Sequence, residues 1–198
     1  MPDSNKIKFG LSDVHYALAT ETQDPTTGAW TTTYGAFKAI PGAVNLSLNA
    51  EGENSNFYAD DIIYVVLGSN QGYSGDAEFA LLPDYAEVDL LNRVIDDNGV
   101  ISESAENSIP PQFALTFKIK GDKSDRRYIL YRCALTRPAI SGSTKEQSIT
   151  PATDSITITA TPRPDDGLTY ARTTESTPKA VYDAWNTTVY VPETGDES

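Results

Sequence analysis

The sequence predicts a mainly β protein, a β-sandwich or barrel-like domain with one flanking α-helix, and three observations carry that reading. Apolar and polar residues alternate with period two in several separate stretches. The outward positions of those stretches are rich in threonine, which suits the exposed face of a pleated sheet. Strong helix signals occur in one segment.

The elements follow in chain order. Residues Lys6 to Ala19 open the chain as a strand candidate. Val44, Leu46, Leu48 and Ala50 alternate with Asn45, Ser47, Asn49 and Glu51, giving a half-buried strand with one wet face. Ile62 to Leu67 is short and apolar at every position, which predicts a central strand buried on both sides. Tyr73 to Leu82 is a further strand. Pro83, Asp84 and, three residues on, Glu87 spell a capping box. Val88, Leu91 and Ile95, with Leu90 and Val94, add an apolar stripe at helical spacing, and Asn98-Gly99 supplies a stop, so a helix is expected over about 84–96. Phe113, Leu115, Phe117 and Ile119 alternate with Ala114, Thr116, Lys118 and Lys120; the polar stretch Gly121 to Asp125 then turns the chain into Tyr128 to Leu135, a β-hairpin. Ile156, Ile158 and Ala160 alternate with threonines until Pro162. Thr177-Pro178 predicts a short C-terminal helix with Val181, Ala184 and Trp185 on one side. Residues 20–34 and 97–112 are read as long loops, and 1–5 and 192–198 as flexible tails, of a single domain spanning 1–198.

Composition narrows the function. The chain has 198 residues, 28 acidic and 15 basic, for a formal charge of −13. A chain of this length buries enough surface to fold without a disulfide or a metal. Cys133 and His15 are the sole residues of their kinds, which excludes an intramolecular disulfide and a multi-histidine metal site. No apolar run reaches the roughly 18 residues of a membrane span, and the first residues lack signal-peptide character, so a soluble protein made in the cytosol is expected. The charge is unevenly spread: residues 39–117 carry a net of −12, residues 118–145 a net of +6, and residues 146–198 a net of −6. Such blocks commonly just solvate a surface, but they also suit head-to-tail pairing of an acidic face with a basic hairpin. The acidic excess argues against gripping nucleic acid and suits a surface that nucleic acid slides past.

Candidate chemistry is thin. Ser12, Asp13 and His15 have triad residue types, but they are adjacent in sequence and no nucleophile elbow accompanies them. Cys133 sits in an apolar run and reads as a small buried hydrophobe. Gly68, Gly72 and Gly75 lack the lysine and helix of a phosphate loop and read as turn chemistry. Glu51, Glu53, Asp60 and Asp61 lack an EF-hand spacing and read as a solvated acidic rim. Arg126-Arg127 with Tyr128 and Tyr131 lack the rest of an RNA-binding motif. No active site, metal or cofactor is expected.

Seven ordered stretches give a more specific signal: Lys8 to Ala17 (KFGLSDVHYA), Ile40 to Gly52 (IPGAVNLSLNAEG), Phe57 to Asp61 (FYADD), Ser69 to Asp76 (SNQGYSGD), Thr136 to Glu146 (TRPAISGSTKE), Pro162 to Asp165 (PRPD) and Ala180 to Trp185 (AVYDAW). Together they resemble the phi13-type family of phage major tail proteins, the tail-tube subunits of long non-contractile-tailed phages of Gram-positive bacteria. The resemblance implies a tail-tube fold, a β-sandwich or barrel with a flanking helix, and no enzymatic activity. It implies that six copies close a ring and that rings stack on the tape-measure protein into a hollow tube. DNA passes through the tube without specific binding, and tail initiator (distal tail) and tail terminator proteins meet its ends. The place implied is the virion, with assembly in the host cytoplasm and no membrane partner. On this reading Lys120, Lys123, Arg126 and Arg127 form an assembly contact, reversal of Arg126 and Arg127 weakens tube growth without unfolding the monomer, and some of Glu51, Glu53, Asp60 and Asp61 face the lumen. The Trp30 loop, the 97–112 loop and the C-terminal segment with Trp185 order on stacking. The alternative is a non-assembling β-sandwich binding module at a virion tip or cell surface.

Overall fold

The computed structural model describes residues 5–107, 109–140, 144 and 152–192. The expected tail residues 1–4 and 193–198, and most of the 136–146 stretch beyond Ile140, lie outside the described residues. The strands are β1 (Lys8–Gln23), β2 (Trp30–Tyr34), β3 (Lys38–Ala39), β4 (Ala43–Glu51), β5 (Asn54–Ala59), β6 (Ile62–Gly68) and β7 (Gly72–Phe79). Helix α1 (Asp84–Leu91) follows, then β8 (Val94–Ile95), β9 (Ile101–Ser102), β10 (Phe113–Gly121), β11 (Arg126–Leu135), β12 (Asp154–Ala160), β13 (Tyr170–Arg172) and α2 (Lys179–Ala184). The protein is mainly β, as the alternation predicts. One antiparallel sheet of nine strands runs in the order β2-β1-β10-β11-β12-β7-β4, with β3 added to β1 and β13 to β11. It does not close into a barrel.

Period-two alternation has its counterpart in the two sides of this sheet. On one side Phe113, Leu115 and Phe117 of β10 meet Leu130, Cys133 and Leu135 of β11, Ile156 and Ile158 of β12, and Leu90 and Leu91 of α1 in the main core. On the other side Ala114, Ile129 and Tyr131 pack under Trp185, just beyond α2. The central strands therefore have both faces covered, whereas β12 keeps Thr157 and Thr159 in solvent. In β4 a register irregularity between Ala43 and Asn45 shifts the pattern, so Val44, expected on the inner face, is exposed while Leu46 and Leu48 lean on the core.

Four sequence expectations change. The 84–96 helix stops at Leu91, where Asn92 takes a left-handed conformation (φ 54°). Val94 and Ile95 instead pair with Ser102 and Ile101, and Asn98-Gly99 is the turn of that small hairpin rather than a helix stop. The capping box does not form, because Pro83 is the N-cap and Glu87 turns to Arg93 (2.7 Å). Residues 20–34 are no loop: Ala19–Gln23 pairs with Trp30–Tyr34, joined by a turn in which Asp24 Oδ1 accepts from the Thr26 and Thr27 amides. This arm is tied down by Arg132, which donates to both carboxylate oxygens of Glu21 (2.6 and 3.0 Å), and by the Thr32 amide, which donates to Asp165. Last, Ile62 to Leu67 is not a buried central strand, since every residue of β6 is exposed. Among the described residues no helix is long and apolar enough to cross a membrane.

Candidate assembly surface

β4 through β7 make one long hairpin. Its base is the β4–β7 ladder, from Ala43 opposite Phe79 to Glu51 opposite Gly72; its outer half is the β5–β6 ladder, from Asn54 opposite Gly68 to Ala59 opposite Ile62. Between them the Gln71 amide donates to the Glu51 carbonyl (3.0 Å), and the Ser69 amide donates to the Glu53 carbonyl (3.3 Å). At the tip Asp60 and Asp61 both have positive φ (53° and 59°), the conformation of a type I′ turn, whose right-handed twist matches the strands. Asp tolerates this region better than most residues, although Asn-Gly is preferred.

Among the described residues the outer ribbon pairs with no further strand. Phe57, Tyr58 and every residue from Ile62 to Leu67 stand 40–66% exposed. Neighbouring strand residues point to opposite faces, so both faces of the ribbon are apolar. A lone two-stranded ribbon is marginal in water, and a contiguous apolar surface of this kind marks an interaction site.

A second feature lies where the sheet stays open. The outer edge of β4 has no strand partner among the described residues, and neither does the Lys8–Ser12 part of β1 on the side away from β10. Beside these edges lies a cleft of about 650 Å³, its apolar lining including Phe9, Leu11, Leu46, Leu48 and Ile119. Phe117 and Tyr128 stack within that lining, with ring centroids 5.1 Å apart. The cleft shares Lys8, Ile119 and Tyr128 with a smaller cavity of about 290 Å³ whose rim carries Lys6, Lys8, Lys120, Arg126 and Arg172. The backbone under this basic rim is fixed. Asn5 Nδ2 donates to the Ser124 carbonyl (2.6 Å), and Asn5 Oδ1 accepts from the Lys123 and Ser124 amides. Burial works against the Asp122 carboxylate, but the Lys6 and Ile7 amides hold its pKa below the ordinary range.

The proposed site residues divide. Glu51 and Glu53 lie at the hinge of the long hairpin and Asp60 and Asp61 at its tip, so the four share one ribbon without forming one cluster. None has a cationic partner among the described residues. Lys120 and Lys123 are exposed on the β10–β11 hairpin. Arg126 pairs with Glu175 (3.3 Å), while Arg127 lies 3.8 Å from Asp13 and over the Tyr182 ring (4.6 Å), so both guanidinium groups are engaged within the chain. Trp30 is partly exposed on the arm. Trp185 is 3% exposed, donates to the Tyr128 carbonyl (3.3 Å) and stacks on Tyr190, which makes it part of the monomer's own core. Sequence reasoning missed Lys8, Phe9 and Arg172, and it took Ile62 to Leu67 for a central strand buried on both sides.

Of the residues weighed for chemistry, His15 Nδ1 lies 3.6 Å from the Asp13 carboxylate and 3.2 Å from the Asp13 carbonyl oxygen. Ser12 Oγ is buried without a hydrogen-bond partner among the described residues, and His15 Nδ1 also faces the Asn186 amide (3.3 Å). Cys133 is fully buried, and burial pushes its thiol pKa well up. No known protein-family model matches the chain, and no curated protein matches it.

Proposed function

We propose that the chain is a structural subunit that assembles with copies of itself into stacked rings, forming the tail tube of a long non-contractile-tailed phage. The observation that carries the reading is the ribbon Asn54–Gly68, apolar on both faces and left uncovered by the described residues. Fully burying a large apolar side chain is worth roughly 1.5–3 kcal/mol, and about half of that gain is still open at each ribbon residue. The eight side chains together offer on the order of 10 kcal/mol, comparable with the roughly 4–15 kcal/mol that association costs. A single pairwise contact is therefore weak, and an array in which each copy makes several contacts is favoured. A non-assembling binding module would have to cover this ribbon with a molecule of a different kind.

On this reading the tape-measure protein occupies the growing tube, initiator and terminator proteins meet its ends, and DNA passes an acidic lumen that repels phosphate. The virion is the place of action, and the host cytoplasm the place of assembly. Negative-stain electron microscopy of the concentrated full chain, alone and with tail initiator complex, tests the proposal. Rings or hollow tubes of uniform width are expected; dispersed particles in both samples would overturn it.

A further inference from the structure

The geometry points to the open cleft beside β1 and β4 as the seat of the β5–β6 ribbon of a second copy, with the Asp60–Asp61 turn in the basic rim formed by Lys8, Lys120 and Arg172. This rests on the self-assembly reading and gives it a defined contact.

Three complementarities select that occupant. The first is apolar: the ribbon presents Phe57, Tyr58 and the Ile62–Leu67 run, and the cleft presents Phe9, Leu11, Leu46 and Leu48. The second is the backbone. Among the described residues Lys8–Ser12 of β1 and the outer side of β4 are unpaired edges, and so are both outer sides of the ribbon. An unpaired edge is a template for a strand of another chain, and adding one continues the sheet that a single copy leaves open. With six or seven residues per strand, the ribbon is about 20 Å long at roughly 3.3 Å per residue.

Charge is the third and fixes the direction. The ribbon and its hinge carry Glu51, Glu53, Asp60 and Asp61 with no cation, while Lys8, Lys120 and Arg172 have no acidic partner among the described residues. The basic rim adjoins one end of the cleft through Lys8, Ile119 and Tyr128. A ribbon lying along the cleft with its turn toward that end brings the two unpaired sets together. The ribbon and the cleft are different surfaces, so the contact is heterologous and generates a ring or a filament, never a closed pair.

That asymmetry supplies the test. In the full-length chain, Asp60→Asn with Asp61→Gly removes both tip charges and installs the residues a type I′ turn prefers, so the ribbon itself is kept. Lys120→Glu with Arg172→Glu reverses two exposed rim charges. Unchanged thermal midpoints verify the folds, and sedimentation velocity measures association. Wild type is expected to form species larger than dimers, and each variant to associate at least tenfold more weakly. The equimolar mixture of the two variants is expected to stop at heterodimers, because one intact tip meets one intact rim and neither free end can add a further copy. If both variants assemble as the wild type does, or the mixture gives no heterodimer, the docking is overturned while self-assembly stands. A wild-type chain that remains monomeric throughout overturns the self-assembly reading itself.

Discussion

Gly52 and Ser69 face each other across the hinge of the long hairpin so closely that a Cβ on Gly52 would collide with the Ser69 carbonyl oxygen. Gly52 also has φ 129°, outside the range open to other residues. The Ser69 hydroxyl completes the joint, accepting from the Glu53 amide and donating to its carbonyl, both at 3.1 Å. Gly52 is thus where the ribbon leaves the body of the sheet. Gly52→Val is expected to displace the ribbon and cut self-association at least tenfold. The thermal midpoint of the monomer should fall by only a few degrees, since the hinge lies outside both cores. Sedimentation velocity and calorimetry on one preparation measure the two effects.

Tyr64 and Trp185 make an opposed pair. Trp185 is buried within one copy, whereas Tyr64 is two-thirds exposed. Trp185→Ala should destabilise the monomer by roughly 3–5 kcal/mol, the range for emptying a large buried aromatic site. Tyr64→Ser combined with Val66→Thr should leave denaturant stability within about 1 kcal/mol and abolish assembly. Chemical denaturation of both variants, followed by sedimentation, separates the two roles.

Arg163 and Asp165 give a pH signature. The Arg163 hydrogen bond holds the Asp165 carboxyl well below the ordinary carboxylate range, and the Thr32 amide adds to it. A folded-state pKa below the unfolded one means that the stabilisation is present above the unfolded value, near 4, and is lost as pH falls toward the folded value. Asp165→Asn is therefore expected to cost on the order of 2 kcal/mol near neutral pH, and the difference from wild type should shrink progressively below pH 4. Thermal unfolding from pH 7 to pH 2.5 tests this; a constant difference would remove Asp165 from that role.

Cys133 is expected to stay unreactive toward thiol reagents while the protein is folded, because it is fully buried and its thiolate is disfavoured. One thiol per chain should then react on unfolding in denaturant. Rapid reaction under native conditions would contradict the packing of β10 against β11.

The strand pattern was legible because a sheet with distinct faces writes itself in period two, as Ile156, Ile158 and Ala160 against Thr157 and Thr159 demonstrate. Ile62 to Leu67 misled for a physical reason. An all-apolar strand means that both faces seek cover, but the sequence does not say whether the cover comes from the same chain. The 20–34 arm was missed because, Trp30 apart, Thr20–Gln23 and Trp30–Thr33 are polar on both faces and carry no alternation; their pairing is held instead by Arg132–Glu21 and Asp165–Thr32, contacts more than a hundred residues apart in sequence. The basic rim joins Lys8, Lys120 and Arg172 through strand pairing, so of the three only Lys120 falls in the basic block at residues 118–145. The β10–β11 hairpin was visible, yet the use of Arg126 and Arg127 within the chain depends on Glu175, Asp13 and Tyr182, which only the fold brings near.

Amide hydrogen exchange, comparing dispersed monomer with assembled material, tests the central claim most directly. Backbone amides of residues 54–59 and 62–68 on the outer sides of the ribbon should exchange rapidly in the monomer and become strongly protected on assembly, together with those of residues 8–12. The strands of the main core should change little. Assembled material in which the ribbon amides still exchange at the monomer rate would contradict the account.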